Sequence, residues 1–280
     1  MTIHTKVKQD ALHPVSLIGC GPGDPELLTL RALERIKKAD VLVVDRLVGE
    51  DITCLSQQEA LIIPVGKDPR STSTPQEEIN RILVREALKG QRVVRLKGGD
   101  GFVFGRAAEE ISAIRAAGLK VEIVPGITAA HACAASIVLP LTMRETIRQF
   151  SLVTGAVSDG PNNTLDWETL AHSHHAFAIY MGVRNAAFIR QKLLQVGASP
   201  SLSIVIVENG CKKNELSVAT TLVDMTAAIE AFEIKGPAIL FGGLSWEDSK
   251  LSMPDKVHVF NSPSKCASEA ITMYQRTNEF

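Results

Sequence analysis

Three glycine-rich segments of this chain could hold a ligand. The first is Ile18-Gly19-Cys20-Gly21-Pro22-Gly23-Asp24-Pro25. It links an apolar run to a helical pattern, the setting of a dinucleotide fingerprint, and Asp45 resembles the acid that would bind a ribose. The spacing does not fit: G-x-G-x-x-G needs glycine where Asp24 stands. Pro22 also lacks the N–H that a pyrophosphate cradle would use. What remains is a tight strand–helix turn or a site for another ligand. The second segment runs Leu96-Lys97-Gly98-Gly99-Asp100-Gly101-Phe102-Val103-Phe104-Gly105-Arg106. It lacks the G-K-[ST] ending of a P-loop. Glycine lets backbone approach a ligand closely, and Phe102 and Phe104 need something to pack on, so it reads as a functional loop. The third, Val124-Pro125-Gly126-Ile127-Thr128-Ala129-Ala130, breaks a strand and opens a helix of small residues. On its own it reads as close packing.

These loops need strands and helices to hold them. An apolar run at 15–18 and a continuous one at 41–44 read as buried parallel strands, and further strands fit 61–65, 92–96 and 121–124. A helix is predicted over 25–38, with Asp24 as N-cap, Pro25 in the first position, and Leu27, Leu30, Leu33 and Ile36 on its apolar side. Thr74 and Glu77 form a capping-box pattern for a helix from Pro75 to about Lys89, and Gly118 should stop another over 106–117. Strands then fit 150–154, 176–181, 203–208, 238–241 and an edge at 257–260, with helices over 166–171, 184–196 and 222–231. The reading is two dissimilar α/β domains, 15–138 and 139–246, with extensions at 1–14 and 247–280.

Composition narrows the function. The 280 residues are 45% hydrophobic and 22% charged, with a formal net charge of −1. That fits a folded chain with a real core and no broad basic surface for nucleic acid. The uncharged run between Glu122 and Arg144 contains Pro125, Gly126 and Pro140, so it reads as loop and helix rather than a membrane span. The start has no apolar signal segment. The five cysteines Cys20, Cys54, Cys133, Cys211 and Cys266 show no C-x-x-C spacing. A reducing, cytoplasmic setting follows. His172, His174 and His175 have no carboxylate or cysteine at ligand spacing and read as a surface loop, so no metal is expected.

Taken together and in order, GCGPGDPELLTL, DRLV, PVGK, PQEEIN, VVRLKGGDGFVFGR, EIVPGITAA, LPLT, VTG, LDW, YMG, VENG and GPAIL resemble the uroporphyrinogen-III C-methyltransferases of the tetrapyrrole methylase family. The likeness covers about residues 15–241. It implies a class III methyltransferase-like fold, with the active site in the cleft between the two domains, and a homodimer. It implies S-adenosylmethionine as co-substrate and S-adenosylhomocysteine as product. The implied reaction methylates ring carbons C2 and C7 of uroporphyrinogen III, giving precorrin-2. In such a transfer positioning dominates, and a base must take up a proton.

Residue by residue, the resemblance implies donor contacts at Pro22, Gly98, Gly99, Asp100, Val103, Thr128, Ala129, Met181, Gly210 and Ala238. It implies Asp45 as proton acceptor, Lys67 as proton donor, and catalytic or substrate-side roles for Arg106 and Glu109. Arg46, Arg144 and Met181 would also meet the substrate, and Arg70 and Lys97 are further bases near these loops. The bland alternatives are that Asp45 caps its strand or pairs with Arg46, and that Met181 is core. Gly101, Ala107 and Met143 depart from the family pattern. A methylase of a later corrin precursor and a non-catalytic tetrapyrrole- or nucleotide-binding relative remain alternatives. The dehydrogenase–ferrochelatase module fused to some relatives is not expected in a chain of this length.

Overall fold

The computed structural model describes residues 12–66, 74–156, 165–172 and 174–262. Two compact units divide between Ala129 and Ala130.

The first unit is built on five parallel strands, β1 (Val15–Gly19), β2 (Val41–Val44), β3 (Leu61–Pro64), β4 (Val93–Lys97) and β5 (Val121–Val124), in the order β3-β2-β4-β1-β5. Alternate residues of each strand point to opposite faces, and helices cover both. Val15, Leu17, Val41, Val43 and Val93 pack under Ile79 and Leu83 of α3 (Gln76–Leu88) and Ile114 of α4 (Ala107–Ala116). Ile18, Leu42, Val44, Val94 and Leu96 pack under Ala32 and Ile36 of α1 (Leu30–Lys37) and Ile52 of α2 (Glu50–Thr53). Burial on both faces is why β1 and β2 read as apolar runs, whereas the edge strand β3 is largely exposed and β5 partly so.

Two local expectations are corrected. The helix expected over 25–38 is interrupted. Pro25–Leu27 forms one 3-10 turn capped by Asp24, Leu28 is extended, and Thr29 caps α1 by accepting from the Ala32 N–H at 3.2 Å. Leu30 is consequently 88% exposed, and Ala32 and Ile36 form the buried side. The Thr74–Glu77 capping box does not form, because Pro75 is the extended N-cap and Thr74 lies one residue outside the helix. The helix ending at Gly118 is present, with Gly118 at φ +74°.

The second unit holds a six-stranded mixed sheet, ordered β11-β9-β8-β10-β7-β6. Its strands are β6 (Gln149–Thr154), β7 (His175–Tyr180), β8 (Ser203–Glu208), β9 (Leu216–Thr221), β10 (Ala238–Gly242) and β11 (Val257–Val259). The core gathers Phe177, Ile179, Ile206, Val218 and Leu240 with Ile189 and Leu193 of α7 (Ala186–Gln195) and Ala228 of α8 (Met225–Ala231). The helix α5 (Ala129–Ser136) and the short α6 (Trp167–Leu170) complete it. β9 has no counterpart in the sequence reading. The histidine segment is also corrected: His175 begins β7 and is buried, with Nε2 2.9 Å from Ser151 Oγ. Burial pushes its pKa down.

Candidate active site

The loops that follow β1, β4 and β5 approach one another backbone to backbone. A Cβ on Gly19 would lie 2.6 Å from Gly126 N and 2.7 Å from Gly99 O; one on Gly126 would lie 2.4 Å from Gly99 O. Gly21 and Gly99 exchange backbone hydrogen bonds, the Gly21 N–H to Gly99 O at 3.1 Å and the Gly99 N–H to Gly21 O at 2.7 Å. Both residues have positive φ, +68° and +65°, a region glycine enters freely. Asp100 completes the knot. Its Oδ2 accepts from the Gly126 N–H at 2.9 Å and its Oδ1 from the Phe102 N–H at 2.8 Å. The glycines therefore serve loop-to-loop contact first. Gly98 is likewise pressed on a neighbour, Leu47 Cβ, which its own Cβ would meet at 2.9 Å. Pro22, Val103, Thr128 and Ala129 surround the knot in sequence and are all partly exposed. Phe102, Phe104 and Ile127 are exposed large apolar side chains on the loops after β4 and β5, and Leu47 is another on the loop after β2.

Asp45 directly follows β2. Its Oδ1 accepts from the Leu47 N–H at 3.2 Å. Its Oδ2 lies 3.4 Å from Arg95 NH2, so its cationic neighbour is Arg95, where the sequence had offered Arg46. Arg95 is 2% exposed and lies inside β4. Its Nε donates to Glu110 Oε1 at 3.0 Å, and its NH1 donates to the Leu96 and Val43 carbonyls. Lys97 donates to Glu110 Oε2 at 2.9 Å, and Gln76 Nε2 donates to Oε1 at 3.3 Å. Glu110 is fully buried. Burial pushes the Lys97 pKa down, with Glu110 opposing. Lys97 is thus an internal ion-pair member and does not present a surface charge.

Arg106 and Glu109 form a two-pronged pair, Nε–Oε1 and NH2–Oε2, both at 2.7 Å. Arg106 caps α4 from a left-handed backbone, φ +54°, and both side chains are about half exposed. The Arg106 hydrogen bond holds the Glu109 carboxyl below its usual range. Arg46 is exposed, and Gly66 is pressed against its backbone. Lys67 and Arg70 lie outside the described residues.

In the second unit, the register sets Ala238 of β10 opposite Glu208 of β8 and Ile239 opposite Tyr180 of β7. Met181, Gly210 and Ala238 therefore share one end of that sheet. Met181 is 55% exposed at φ +56°, so it is not core. Gly210 sits between two left-handed residues, Asn209 and Cys211, and its Cβ would lie 2.3 Å from Cys133 Sγ. Tyr180 Oη accepts from the Ala130 N–H at 3.0 Å. Arg144 stands exposed in a turn closed by mutual Met143–Ile147 backbone bonds. Burial pushes the Cys20 and Cys133 thiols up to about 12, so neither supplies a thiolate. Among the described residues, no group of three or more His, Cys, Asp or Glu side chains is placed to hold a metal ion. No described helix is long and apolar enough to cross a membrane.

The strand-end loops of this parallel sheet carry a braced acid, an apolar fringe and an arginine paired with a carboxylate, and the carboxyl ends of such strands are where open α/β sheets bind ligands. Residues 14–226 match the family model of the tetrapyrrole (corrin/porphyrin) methylases, and the chain belongs to that family. It is 44% identical over 229 residues to a siroheme synthase of Enterobacter sp. (strain 638), covering 82% of this chain and 49% of the relative. It is 41% identical over 248 residues to siroheme synthase 2 of Cronobacter sakazakii, covering 89% of this chain and 52% of the relative. The chain thus spans about half the length of the curated relatives it matches. The uroporphyrin-III C-methyl transferase of Thermus thermophilus, crystallised with S-adenyl homocysteine, is 35% identical with a TM-score of 0.70. That match covers 82% of this chain and 92% of the other.

Sequence reasoning passed over Arg95 and Glu110. The signal was available: Arg95 interrupts an apolar strand, and the strand period of two puts it on the face of Val93 and Lys97.

Proposed function

We propose that this chain transfers methyl groups from S-adenosylmethionine to two pyrrole carbons of uroporphyrinogen III, giving precorrin-2 and S-adenosylhomocysteine. The observation that carries the reading is the Gly19–Gly99–Gly126 knot with Asp100 stitched across it. It fixes a carboxylate and its flanking loops at the carboxyl ends of parallel strands, in a chain spanning 92% of a uroporphyrin-III C-methyl transferase.

The donor, when bound, supplies a sulfonium methyl group open to attack by an electron-rich carbon. Asp100 has lone pairs left after its two backbone bonds and binds the donor's hydroxyl or ammonium groups. The loops bearing Pro22, Gly98, Gly99, Val103, Thr128 and Ala129 hold the donor's remaining surface. Arg106 clamps a substrate carboxylate by exchanging it for Glu109, whose two-pronged bond already displays the required geometry. Phe102, Phe104 and Ile127 give the flat macrocycle apolar surface. Asp45 accepts the proton released as the ring rearranges, and Lys67 returns one. Arg46 and Arg144 meet further carboxylates.

Calorimetric titration with S-adenosylhomocysteine, followed by turnover on freshly reduced uroporphyrinogen III, tests the reading. Binding with methylated product is expected. Methylation of a later precursor alone would replace the substrate assignment, and binding without any turnover would refute catalysis. Sedimentation of the purified chain tests the homodimer.

A further inference from the structure

Arg95 is an expensive residue to place where it is. Its strand neighbours Val93, Val94 and Leu96 are buried apolar side chains, and it is itself 2% exposed. Burying paired ions stabilises a fold little, since an apolar replacement of similar size is often as good or better. Nothing in the sheet therefore demands arginine at this position.

The hydrogen bonds show where the side chain leads. In the sheet register Val43 of β2 pairs with Arg95 of β4. Asp45, two residues beyond Val43, therefore projects from the same face of the sheet. Arg95 uses Nε on Glu110, NH1 on two backbone carbonyls, and NH2 on Asp45 Oδ2. Three anchors are buried, while the fourth, Asp45, is 37% exposed at the side chain. Glu110 is in turn held by Lys97 and Gln76. Two cations, Arg95 and Lys97, thus balance two carboxylates, Asp45 and Glu110. With Oδ1 on the Leu47 N–H and Oδ2 on Arg95, the Asp45 carboxylate is fixed at both oxygens.

We propose that Arg95, anchored by Glu110, is a positioning residue that orients the Asp45 carboxylate for proton transfer. This rests on the assignment of Asp45 as proton acceptor. Arg95 touches no substrate and acts only through Asp45.

The test is a double-mutant cycle of Arg95→Met and Asp45→Asn in the full chain, with Arg95→Lys as a second variant that keeps the charge. Arg95→Met leaves Lys97 and Glu110 paired. It should lower kcat by about 10–100-fold, with the KM for donor near wild type. Asp45→Asn should cost about 10²–10⁴-fold. On the Asp45→Asn background, Arg95→Met should cost nothing further, because the two act as one unit. Arg95→Lys should recover part of the loss. An equal loss from Arg95→Met on both backgrounds, or no loss from either single change, overturns the proposal. A crystal structure of the Arg95→Met chain gives a readout independent of turnover, or of Arg95→Lys where the first variant does not fold. There the Asp45 carboxylate should turn away from its present orientation; finding it unmoved overturns the proposal. Absence of methyl transfer by the wild-type chain would instead refute the functional reading, and the Asp45 orientation would still decide this one.

Discussion

Gly126→Ala puts the knot of strand-end loops under direct load. The added Cβ would meet Gly99 O at 2.4 Å, Gly19 C at 2.5 Å and Gly19 O at 2.6 Å. Ordinary contact begins near 3.4 Å. All three neighbours are backbone atoms, so no side chain can rotate aside, and the β5 loop must retreat by about 1 Å. Overpacking of this kind costs about 1–3 kcal/mol. The Asp100 Oδ2–Gly126 N–H bond, 2.9 Å long, would stretch as well, at roughly 1 kcal/mol or more for a bond to a charged group. The total is about 2–4 kcal/mol of stability, read by urea denaturation. A 1 Å displacement of positioning groups costs on the order of 100-fold in function. The affinity for S-adenosylhomocysteine, read by calorimetry, should fall about 10–100-fold. Gly49→Ala is the control: it lies in the loop after β2, has an ordinary φ of −75°, and would meet nothing within 4 Å. As the N-cap of α2 it should cost no more than about 1 kcal/mol of stability and leave the product affinity unchanged. A Gly126→Ala chain with wild-type stability and product affinity within twofold of wild type would refute the reasoning.

Glu110→Ala would leave Arg95 and Lys97 buried without their shared carboxylate, and should cost about 3–5 kcal/mol in denaturant titrations. Arg106→Ala should raise the KM for the tetrapyrrole at least about tenfold while leaving S-adenosylhomocysteine affinity near wild type, as steady-state kinetics and calorimetry would read. The pH dependence of stability should show Asp40. Arg92 beside it holds its carboxyl at about 2, against 3.8 ordinarily, through bonds of 2.7 to 3.0 Å. A depressed carboxyl stabilises above its unfolded value and stops doing so as pH falls through its folded value. The gap between wild type and Asp40→Asn should therefore be about 1 kcal/mol near neutrality, partial exposure having weakened the pair, and close between about pH 4 and pH 2.

The sequence carried the first unit well for a physical reason. Its central strands are buried on both faces, so Val41–Val44 is an unbroken apolar run and Val93–Lys97 departs from one only at Arg95 and Lys97. β9 was harder, since its buried residues include the polar Ser217 and Thr220 and its sequence, LSVATT, has no strong apolar run. The break at Leu28–Thr29 was hidden because Leu27, Leu30, Leu33 and Ile36 keep a helical period across it. At the site, glycine spacing located the knot but not its loop-to-loop contacts, because close approach of one loop to another and of a loop to a ligand select the same residue. Met181 shows the opposite case: its type favours core, and only its left-handed, exposed backbone position removes it from that role. Arg95 and Glu110 are 15 residues apart. They meet only because a strand and a helix fold onto one face, which no local pattern displays.

The central claim is double methyl transfer onto a tetrapyrrole. Its most direct measurement supplies isotope-labelled methyl donor and freshly reduced uroporphyrinogen III, then locates the label in the product by mass spectrometry and NMR. Two labelled methyl groups are expected, each on a pyrrole ring carbon, with matching release of S-adenosylhomocysteine. Unmodified substrate from a chain that binds the donor, or label on a carboxylate oxygen or a nitrogen, would contradict it.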